Sequence, residues 1–534
     1  MPGDDIFAMT GGSLTINSAY VNGATTNISG GTFVLNGAST VSAMQLTGQF
    51  TTLNGVGDLQ VANGGLFTWV SGTQSGAGST TIANGATMNV TGVAGLSQRT
   101  INNNGAVVVT GSLTNSGTVN NALGKTFNFH DGGTFGQFSG GSLNNAGLVS
   151  KTGTGTSTIF GAFNNAGTVD SQSGTLLLSG GGLMNGGTYT TSGSGALQLS
   201  GGIHTANTNA TISSTAVQLT GQFTTLDGTG DLQVANGGLF TWVSGTQSGA
   251  GSTTIANGAT MNVTGVAGLS QRTINNNGAV VVTGSLTNSG TINNALGKTF
   301  NFHDGGTFGQ FSGGSLNNTG LVSKTGTGTS TIFGAFSNTG AVNAQSGTLR
   351  VAPSFTNNGS VNVSAFAVFQ AAGSDFINAG SVSGNGTVIT PNSGLSNQGN
   401  VNPGFGIGNL TISGKLEERA SGVLNFELAS LASFDLLTVI GNATLGGTVA
   451  VWGAGYVPVI GDSFTVMTFN DRAGTTFTGP VSVNGFALGT TFDVVYEVNN
   501  VKLVVATIPE PSVLAMLFAG LGIIGLTVDR SRRT

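Results

Sequence analysis

The 534-residue chain carries 14 basic and 19 acidic residues, and its charged fraction of 6% lies far below the quarter typical of globular domains. A net charge of −5 provides no basic surface to neutralise phosphates, which excludes electrostatically driven nucleic-acid binding. The absence of cysteine excludes disulfides, thiolate metal sites and cysteine nucleophiles. The 93 glycines show no collagen triplet, and recurring Val, Ile, Leu and Phe favour an ordered chain over a disordered one.

A large internal duplication lies within residues 1–402. Residues 43–176 recur at 216–349 with a constant offset of 173 residues, no gaps and ten differences in 134 positions. A solenoid tolerates the insertion of such a block because each repeat contacts only its neighbours, whereas a closed domain does not. We therefore predict that residues 1–402 form one repetitive domain.

A seven-residue motif, apolar-x-Asn-x-Gly-x-apolar, recurs within this domain. From residue 316 onward its starting positions step by 20, 19, 21 and 19 residues. Apolar residues alternate with small polar ones, which is strand periodicity, and Asn and Gly suit the corners between strands. The spacing predicts an elongated right-handed parallel β-helix with three short strands per coil, inward-facing motif apolar residues and Asn side chains hydrogen-bonded between coils. The motif occupies 101–107, 113–119, 143–149, 163–169, 183–189, 274–280, 286–292, 316–322, 336–342, 355–361, 376–382 and 395–401.

Candidate chemistry in this domain is sparse. Residues 1–400 contain nine acidic residues, and beyond the first five residues the one close pair, Asp227 and Asp231, is not repeated in the first copy, where Asn54 takes the place of Asp227, so we predict no catalytic site, metal site or cofactor. His130-Asp131 and His303-Asp304 precede Gly-Gly and are interpreted as turn residues. The segment 55–61 is similar to a calcium-binding nonapeptide, but it has no tandem neighbour and is interpreted as a turn and strand.

Two patterns leave alternatives open. Phe67 and Trp69 alternate on one strand face, which is either the core or an exposed platform for sugars. The threonine-rich run 151–159 predicts either ordinary strand or a flat hydroxyl array that binds glycan or ice.

The sequence pattern changes near Pro403, where the predicted strands become longer and acidic residues cluster. The turn at 403–404 and the segments 408–412, 435–439, 445–449, 461–469 and 501–506 resemble the passenger-domain ends of bacterial autotransporters and related β-helix surface proteins. The resemblance implies that residues 403–507 form a β-rich cap that closes the solenoid and protects its last edge. The clustered acids are Glu417, Glu418, Glu427 and Asp435.

Residues 508–534 combine three features of a membrane-sorting tail. Pro509-Glu510-Pro511 precedes the apolar run 513–528, which predicts a single short transmembrane helix of about 24 Å, marginal for a bilayer core near 30 Å. Arginines follow this run and predict that the end of the chain stays cytoplasmic, with the preceding residues outside. The orienting arginines are Arg530, Arg532 and Arg533.

This tail resembles the PEP-CTERM sorting signal of Gram-negative bacteria in all three parts. The resemblance implies that the helix holds the protein at the inner membrane until an exosortase, a transpeptidase-like enzyme, processes it near Pro509-Glu510-Pro511. Residues 1–20 contain neither a basic region nor an apolar core, so we expect that a native signal peptide is missing upstream.

Together these features predict a non-enzymatic, exported structural or adhesive protein of the cell surface or extracellular matrix. Its expected partners are an exosortase, the inner membrane and an extracellular polysaccharide, with no nucleic acid. The first alternative is a polysaccharide- or ice-binding protein with a Thr/Asn-rich solenoid face. The second is a β-helix enzyme that degrades polysaccharides, which would need a carboxylate cluster in one groove.

Overall fold

The computed structural model describes residues 5–136, 141–309 and 314–507. Two compact units divide the chain, Met1–Gly320 and Leu321–Thr534, called here the N-terminal and the C-terminal unit. In both units the regular elements of the described ranges are β-strands, and most of them pair in parallel with strands of the next coil. The predicted all-β parallel solenoid is confirmed, whereas its right hand, its elongated form and the boundaries at 402/403 and 507/508 stay predictions.

In the N-terminal unit the described strands form three parallel ladders, A, B and C, one for each side of the coil. Strands Phe7–Ile16, Val21–Leu35, Ser39–Leu46, Thr52–Asn54 and Leu59–Trp69 precede them. On side A the strands fall into two paired runs, with no strand pairing between Ala162–Asn165 and Gly182–Leu183. The first run comprises Ser79–Ile82, Thr100–Asn103, Thr118–Asn121, Ser142–Asn145 and Ala162–Asn165, and the second comprises Gly182–Leu183, Ile203–Thr205, Thr225–Asp227, Gly245–Gln247, Val266–Leu269, Ser285–Asn288 and Thr307–Phe308; together they are called ladder A. Ladder B comprises Thr87–Val90, Ala106–Val109, Thr126–His130, Leu148–Thr152, Thr168–Ser171, Thr188–Thr191, Ala210–Ile212, Leu232–Val234, Ser252–Ile255, Thr273–Asn276, Thr291–Asn294 and Ser315–Asn318. Ladder C comprises Gly72–Gln74, Val93–Leu96, Ser112–Asn115, Thr134–Phe135, Thr156–Ile159, Thr175–Leu178, Ala196–Leu199, Val217–Leu219, Leu239–Trp242, Thr260–Val263, Ala279–Val282 and Thr299–His303.

The described strands of the C-terminal unit form ladders D, E and F. Ladder D comprises Leu321–Thr325, Ala341–Ala344, Ser360–Val363, Ser381–Gly384, Asn400–Pro403, Val423–Ser430, Thr448–Gly453 and Ser482–Asn484. Ladder E comprises Thr329–Ile332, Thr348–Val351, Val368–Ala371, Thr387–Ile389, Asn409–Ser413, Leu436–Ile440 and Ser463–Thr468. Ladder F comprises Ala335–Asn338, Phe355–Asn357, Phe376–Asn378, Leu395–Asn397, Leu416–Glu418 and Ala443–Thr444.

Antiparallel pairing appears beside these parallel ladders. Asn500–Thr507 pairs antiparallel with both Ser463–Thr468 and Thr491–Tyr496, and Ser433–Phe434 pairs antiparallel with the end of Val423–Ser430. Residues 403–507 are therefore strand-rich, as the sequence predicts, and their parallel ladders run into an antiparallel sheet.

The apolar motif positions fill the interior of each unit. Strand after strand alternates half-buried and buried residues, as in Thr100–Asn103 and Ser360–Val363, because successive side chains point to opposite faces. In the C-terminal unit Phe355 stacks on Phe336 at 5.3 Å and packs against Phe376 at 5.6 Å between ring centroids. Leu183 departs from the motif, since it is 39% exposed.

A buried ladder of asparagine side chains runs beneath the corners of the N-terminal unit. Asn103 Nδ2 donates to Asn121 Oδ1, Asn121 to Asn145, and Asn145 to Asn165, each at 2.7 Å. Each amide oxygen thus accepts from the coil before, and the ladder satisfies polar groups that would otherwise be costly to bury. The predicted hydrogen bonding of Asn side chains between coils is confirmed.

The C-terminal unit contains a second buried ladder with a different end. Asn338 donates to Asn357 at 2.8 Å, Asn357 to Asn378 at 2.8 Å and Asn378 to Asn397 at 2.7 Å. Asn397 Nδ2 then donates to both carboxylate oxygens of Glu418, at 2.9 and 3.0 Å. A carboxyl group therefore takes the position of the next amide in the ladder.

Buried cations hold the corners of the N-terminal unit. Arg99 is fully buried, and its guanidinium donates to Thr80 Oγ1 at 2.9 Å, to the Gly57 carbonyl at 3.0 Å and to the Ser79 carbonyl at 2.7 Å. Burial lowers the pKa of Arg99 to about 10, which leaves the group charged at neutral pH. Arg272 makes the equivalent bonds in the second copy.

The two copies of the duplication occupy different sides of the coil. Ser112–Asn115 lies in ladder C, whereas the identical Ser285–Asn288 lies in ladder A. Thr100–Asn103 lies in ladder A and its counterpart Thr273–Asn276 in ladder B. The duplicated block therefore contains a whole number of coils plus one strand, so each surface feature of the first copy reappears one side further round.

Candidate functional site

The predicted sorting residues lie outside the described residues. They are Pro509, Glu510, Pro511, Arg530, Arg532 and Arg533. Within the described ranges, no helix is long and apolar enough to cross a membrane. The sorting tail and its helix stay predictions.

Outward-facing asparagines form a column on the surface of the N-terminal unit. Asn120 Nδ2 donates to Asn102 Oδ1 at 3.0 Å, Asn144 to Asn120 at 2.9 Å and Asn164 to Asn144 at 2.9 Å. In this column each asparagine donates to the coil before it, whereas in the buried ladder, formed by the residues next in sequence, each asparagine donates to the coil after it. A groove of about 420 Å³ lies beside it and includes Leu183.

The second copy repeats this column one side further round the coil. Asn293 donates to Asn275 at 3.1 Å and Asn317 donates to Asn293 at 3.0 Å. The amide columns on two sides of the coil form a regular array of hydrogen-bond donors and acceptors, so this surface is uncharged and hydrophilic.

A third outward column lies on ladder D of the C-terminal unit. Asn362 Nδ2 donates to Asn343 Oδ1 at 2.8 Å, and Asn402 Nδ2 donates to Ser383 Oγ at 2.9 Å. Strand pairing aligns Asn343 with Asn362, Asn362 with Ser383 and Ser383 with Asn402. The column leads to a cleft at the longer strands that follow.

This cleft combines an exposed indole with amides and carboxylates, and it is the candidate functional site. It has a volume of about 380 Å³. Trp452 is 46% exposed, because Val449 and Val451 of the same strand face inward and alternation points Trp452 outward. Its side-chain neighbours in the register are Glu427 on one strand and Asn484 on the other. The lining residues are Asn400, Asn402, Pro403, Gly404, Gly406, Asn425, Glu427, Asp435 and Trp452.

Hydrogen bonds position the indole and the amides of the cleft. Trp452 Nε1 donates to Asn425 Oδ1 at 3.5 Å, and Asn425 Nδ2 donates to Asn400 Oδ1 at 3.2 Å. The amide of Asn425 thus bridges the ring and the preceding coil.

The two carboxylates of the cleft have different roles. Asp435 is buried, and its oxygens accept from the Gly408 N–H and the Glu427 N–H, both at 2.8 Å. Burial raises the pKa of Asp435 to about 7, against the two backbone donors, and the charge of Glu427 raises it further. Asp435 therefore ties the loop at Gly408 to the strand of Glu427, whereas Glu427 lines the cleft half-buried.

The other two clustered acids lie elsewhere. Glu417 forms an ion pair with Arg419 at 2.6 Å on the surface. Glu418 is buried at the end of the asparagine ladder. The cluster in the sequence thus separates into three structural positions.

The remaining sequence patterns resolve into structural elements. Phe67 and Trp69 are fully buried, which settles their face as core. Asp131 and Asp304 sit in turns at φ of 49°, as predicted, whereas His130 and His303 are the last residues of strands Thr126–His130 and Thr299–His303 and not turn residues. His130 Nδ1 lies 2.9 Å from Thr152 Oγ1. In segment 55–61, Gly55 has φ of 115° and a strand begins at Leu59, as a turn and strand require.

The threonine-rich run does not form one flat array. Leu148–Thr152 lies in ladder B and Thr156–Ile159 in ladder C, with Gly153 at φ of 78° in the bend between them. Lys151 is buried, and its Nζ donates to the carbonyls of Thr152 and Gly153. Over the described ranges, no group of three or more His, Cys, Asp and Glu could hold a metal ion.

Comparisons with known proteins add little to this picture. No protein-family model matches the chain, and no curated protein matches it. One solved structure, a crystal structure of a TibC-catalysed hyper-glycosylated TibA fragment, aligns over 72% of this chain and 95% of its own at 18% identity, with a TM-score of 0.14. A likeness at that TM-score carries no further argument, so the solenoid rests on the strand pairing of this chain itself.

Proposed function

We propose that the chain is an exported structural or adhesive protein of the bacterial surface or extracellular matrix, sorted by an exosortase through residues 508–534. The observation that carries this proposal is the order of Pro509-Glu510-Pro511, the apolar run 513–528 and the closing arginines. In this proposal the apolar run spans the inner membrane transiently, and Arg530, Arg532 and Arg533 fix its orientation on the cytoplasmic side.

The chemistry of the described solenoid supports a structural role. Its outward faces present amides in columns rather than charges, and its interior carries aromatic, aliphatic and asparagine ladders. Such a surface hydrates well and depends little on ionic strength, which suits a protein exposed outside the cell. That the chain is not an enzyme is part of the proposal.

We also propose that the antiparallel strands at 491–507 act as the cap of the C-terminal unit. Asn500–Thr507 takes both neighbours antiparallel and thereby ends the parallel stacking of ladder E. Ser463–Thr468 therefore offers no open edge for another chain to pair with, and Thr491–Tyr496 becomes the last strand of the sheet.

Cell fractionation tests the sorting part of the proposal. The full chain and a variant truncated after residue 507, each with an export signal added upstream, are expressed in a Gram-negative host that contains an exosortase. We expect the truncated variant in the soluble exported fraction and the full chain first in the inner membrane and then at the surface. Identical distribution of the two proteins would contradict the proposal, and expression in a host without exosortase is the matched control.

A further inference from the structure

We propose that the cleft at Trp452 binds a neutral saccharide chain, with the indole as its stacking platform. This goes beyond the proposed sorting and structural role, and its test uses purified protein, so its outcome does not depend on export. The inference rests on the geometry of the C-terminal unit alone.

The first argument is the exposed indole. Trp69 and Trp242 are fully buried core residues, whereas Trp452 is 46% exposed on the outward face of its strand. Exposing a large apolar ring costs hydration free energy unless a ligand covers it. The hydrogen bond to Asn425 at 3.5 Å orients the ring from its edge and leaves the exposed part of the ring available to a ligand.

The second argument is the set of polar groups around the ring. Asn400, Asn402 and Asn425 provide amide donors and acceptors, and Glu427 provides an acceptor-only carboxylate. A few convergent polar groups around an aromatic wall are the usual composition of a small-molecule site. Sugar hydroxyls both donate and accept, and the C–H face of a sugar ring is apolar, so a saccharide matches both parts of the cleft.

The third argument is the direction of the adjoining surface. The column Asn343–Asn362–Ser383–Asn402 runs coil by coil up to the cleft, at about 4.8 Å per coil. A chain of sugar units that stacks on Trp452 can continue along this column and exchange hydrogen bonds with each coil. A polymeric ligand therefore fits the surface better than a single sugar.

The charge of the cleft selects the class of saccharide. Glu427 lies beside Trp452 in the register, and the cleft contains no Lys or Arg among its lining residues. A uronic acid or sulfated sugar would place a like charge near this carboxylate, which opposes binding. We therefore assign neutral hexose or N-acetylhexosamine chains to the cleft.

Fluorescence quenching reports on this cleft directly. The chain has three tryptophans, and acrylamide reaches Trp452 while Trp69 and Trp242 are shielded by the core. The full chain, purified in a detergent without a sugar head group, is titrated with soluble oligosaccharides of glucose, mannose, galactose and N-acetylglucosamine, and with oligogalacturonate. We expect at least one neutral oligosaccharide to reduce quenching at least twofold and oligogalacturonate to have no effect.

Calorimetry on variants separates binding from folding. Trp452→Ala should weaken binding of the same oligosaccharide at least tenfold, Trp452→Phe should weaken it less, and Glu427→Gln should admit oligogalacturonate. Phe366→Ala removes another exposed aromatic ring of the same unit and should bind as the wild type does. The proposal is overturned if no neutral oligosaccharide binds, if the acidic one binds equally well to the wild type, or if Trp452→Ala retains wild-type affinity.

Discussion

Replacing Glu418 by Gln should remove a pH-dependent loss of folding stability from the C-terminal unit. Glu418 ends the buried ladder by accepting from Asn397 Nδ2 with both carboxylate oxygens, at 2.9 and 3.0 Å. Burial raises the pKa of Glu418 from its ordinary value of 4.5 to about 8, and the hydrogen bond from Asn397 offsets only part of this. Glutamine keeps an oxygen acceptor for Asn397 without a charge to desolvate.

The sign of the effect follows from proton binding. Between pH 4.5 and 8 the folded chain holds a proton on Glu418 that the unfolded chain has lost, so stability falls as the pH rises through this window. At about 1.4 kcal/mol per pKa unit, the wild type loses roughly 5 kcal/mol across the window. Because Glu418 is only 3% exposed, solvent screening takes little from this figure.

Native-state hydrogen exchange at pH 5 and pH 8.5 measures this loss locally. After correction for intrinsic exchange, protection of strands Leu395–Asn397 and Leu416–Glu418 should fall with pH in the wild type and much less in Glu418→Gln. Asp435, whose pKa burial also raises to about 7, contributes equally to both proteins and cancels in the comparison. The same pH dependence in both proteins would refute the reasoning.

Two further predictions concern buried rings. Burial lowers the pKa of His204 to about 4 from its ordinary 6.5, so the N-terminal unit should lose roughly 3 kcal/mol as the pH falls through that window. His204→Leu should abolish this loss in denaturant titrations at pH 7 and pH 4, and an unchanged acid sensitivity would argue against it. Phe355→Ala should cost the C-terminal unit about 3–5 kcal/mol, because Phe336 and Phe376 lose their packing partner. Protease resistance measures this cost, Phe366→Ala at a fully exposed ring is the control, and equal resistance of the two variants would count against the assigned register.

The sequence predicted the interior of the solenoid well, because its physical signal is local. Alternation around the Asn-x-Gly motif placed Val107, Val149 and Val361 in the core, where they are buried. Asparagines at repeated spacing predicted ladders between coils, and these are present. Leu183 departs from the pattern because the next residue, Met184, takes the inward position and is 1% exposed, so the alternation is shifted by one residue at this coil.

Features that depend on coil register were beyond the sequence. The second copy of the duplicated block is shifted by one side of the coil relative to the first. Predicting this shift requires a count of every strand, and the irregular coils prevented that count. Arginine and lysine usually lie on the protein surface. No local sequence signal predicted that carbonyl groups from neighbouring coils would surround Arg99 and Lys151. The threonine-rich run looked continuous, yet Gly153 turns it from one ladder into the next.

The cleft at Trp452 was missed although a signal for it existed. In 423–428 the apolar residues Leu424, Phe426 and Leu428 alternate with others, which places Glu427 outward. The same alternation in 448–453 places Trp452 outward. What the sequence lacked was the pairing of Glu427 with Trp452, which brings the two together.

Mass analysis of the mature C-terminus tests the central claim most directly. The wild-type chain and a variant with Pro509, Glu510 and Pro511 replaced by alanine, both with an export signal, are recovered from an exosortase-containing host. Prolines lack an amide hydrogen and disfavour helix before them, so the motif should be extended and accessible outside the membrane. We predict a wild-type chain that ends near residue 511 and a variant that is inserted but keeps residue 534. An intact tail on the mature wild-type protein would contradict sorting by an exosortase and leave a plain membrane anchor.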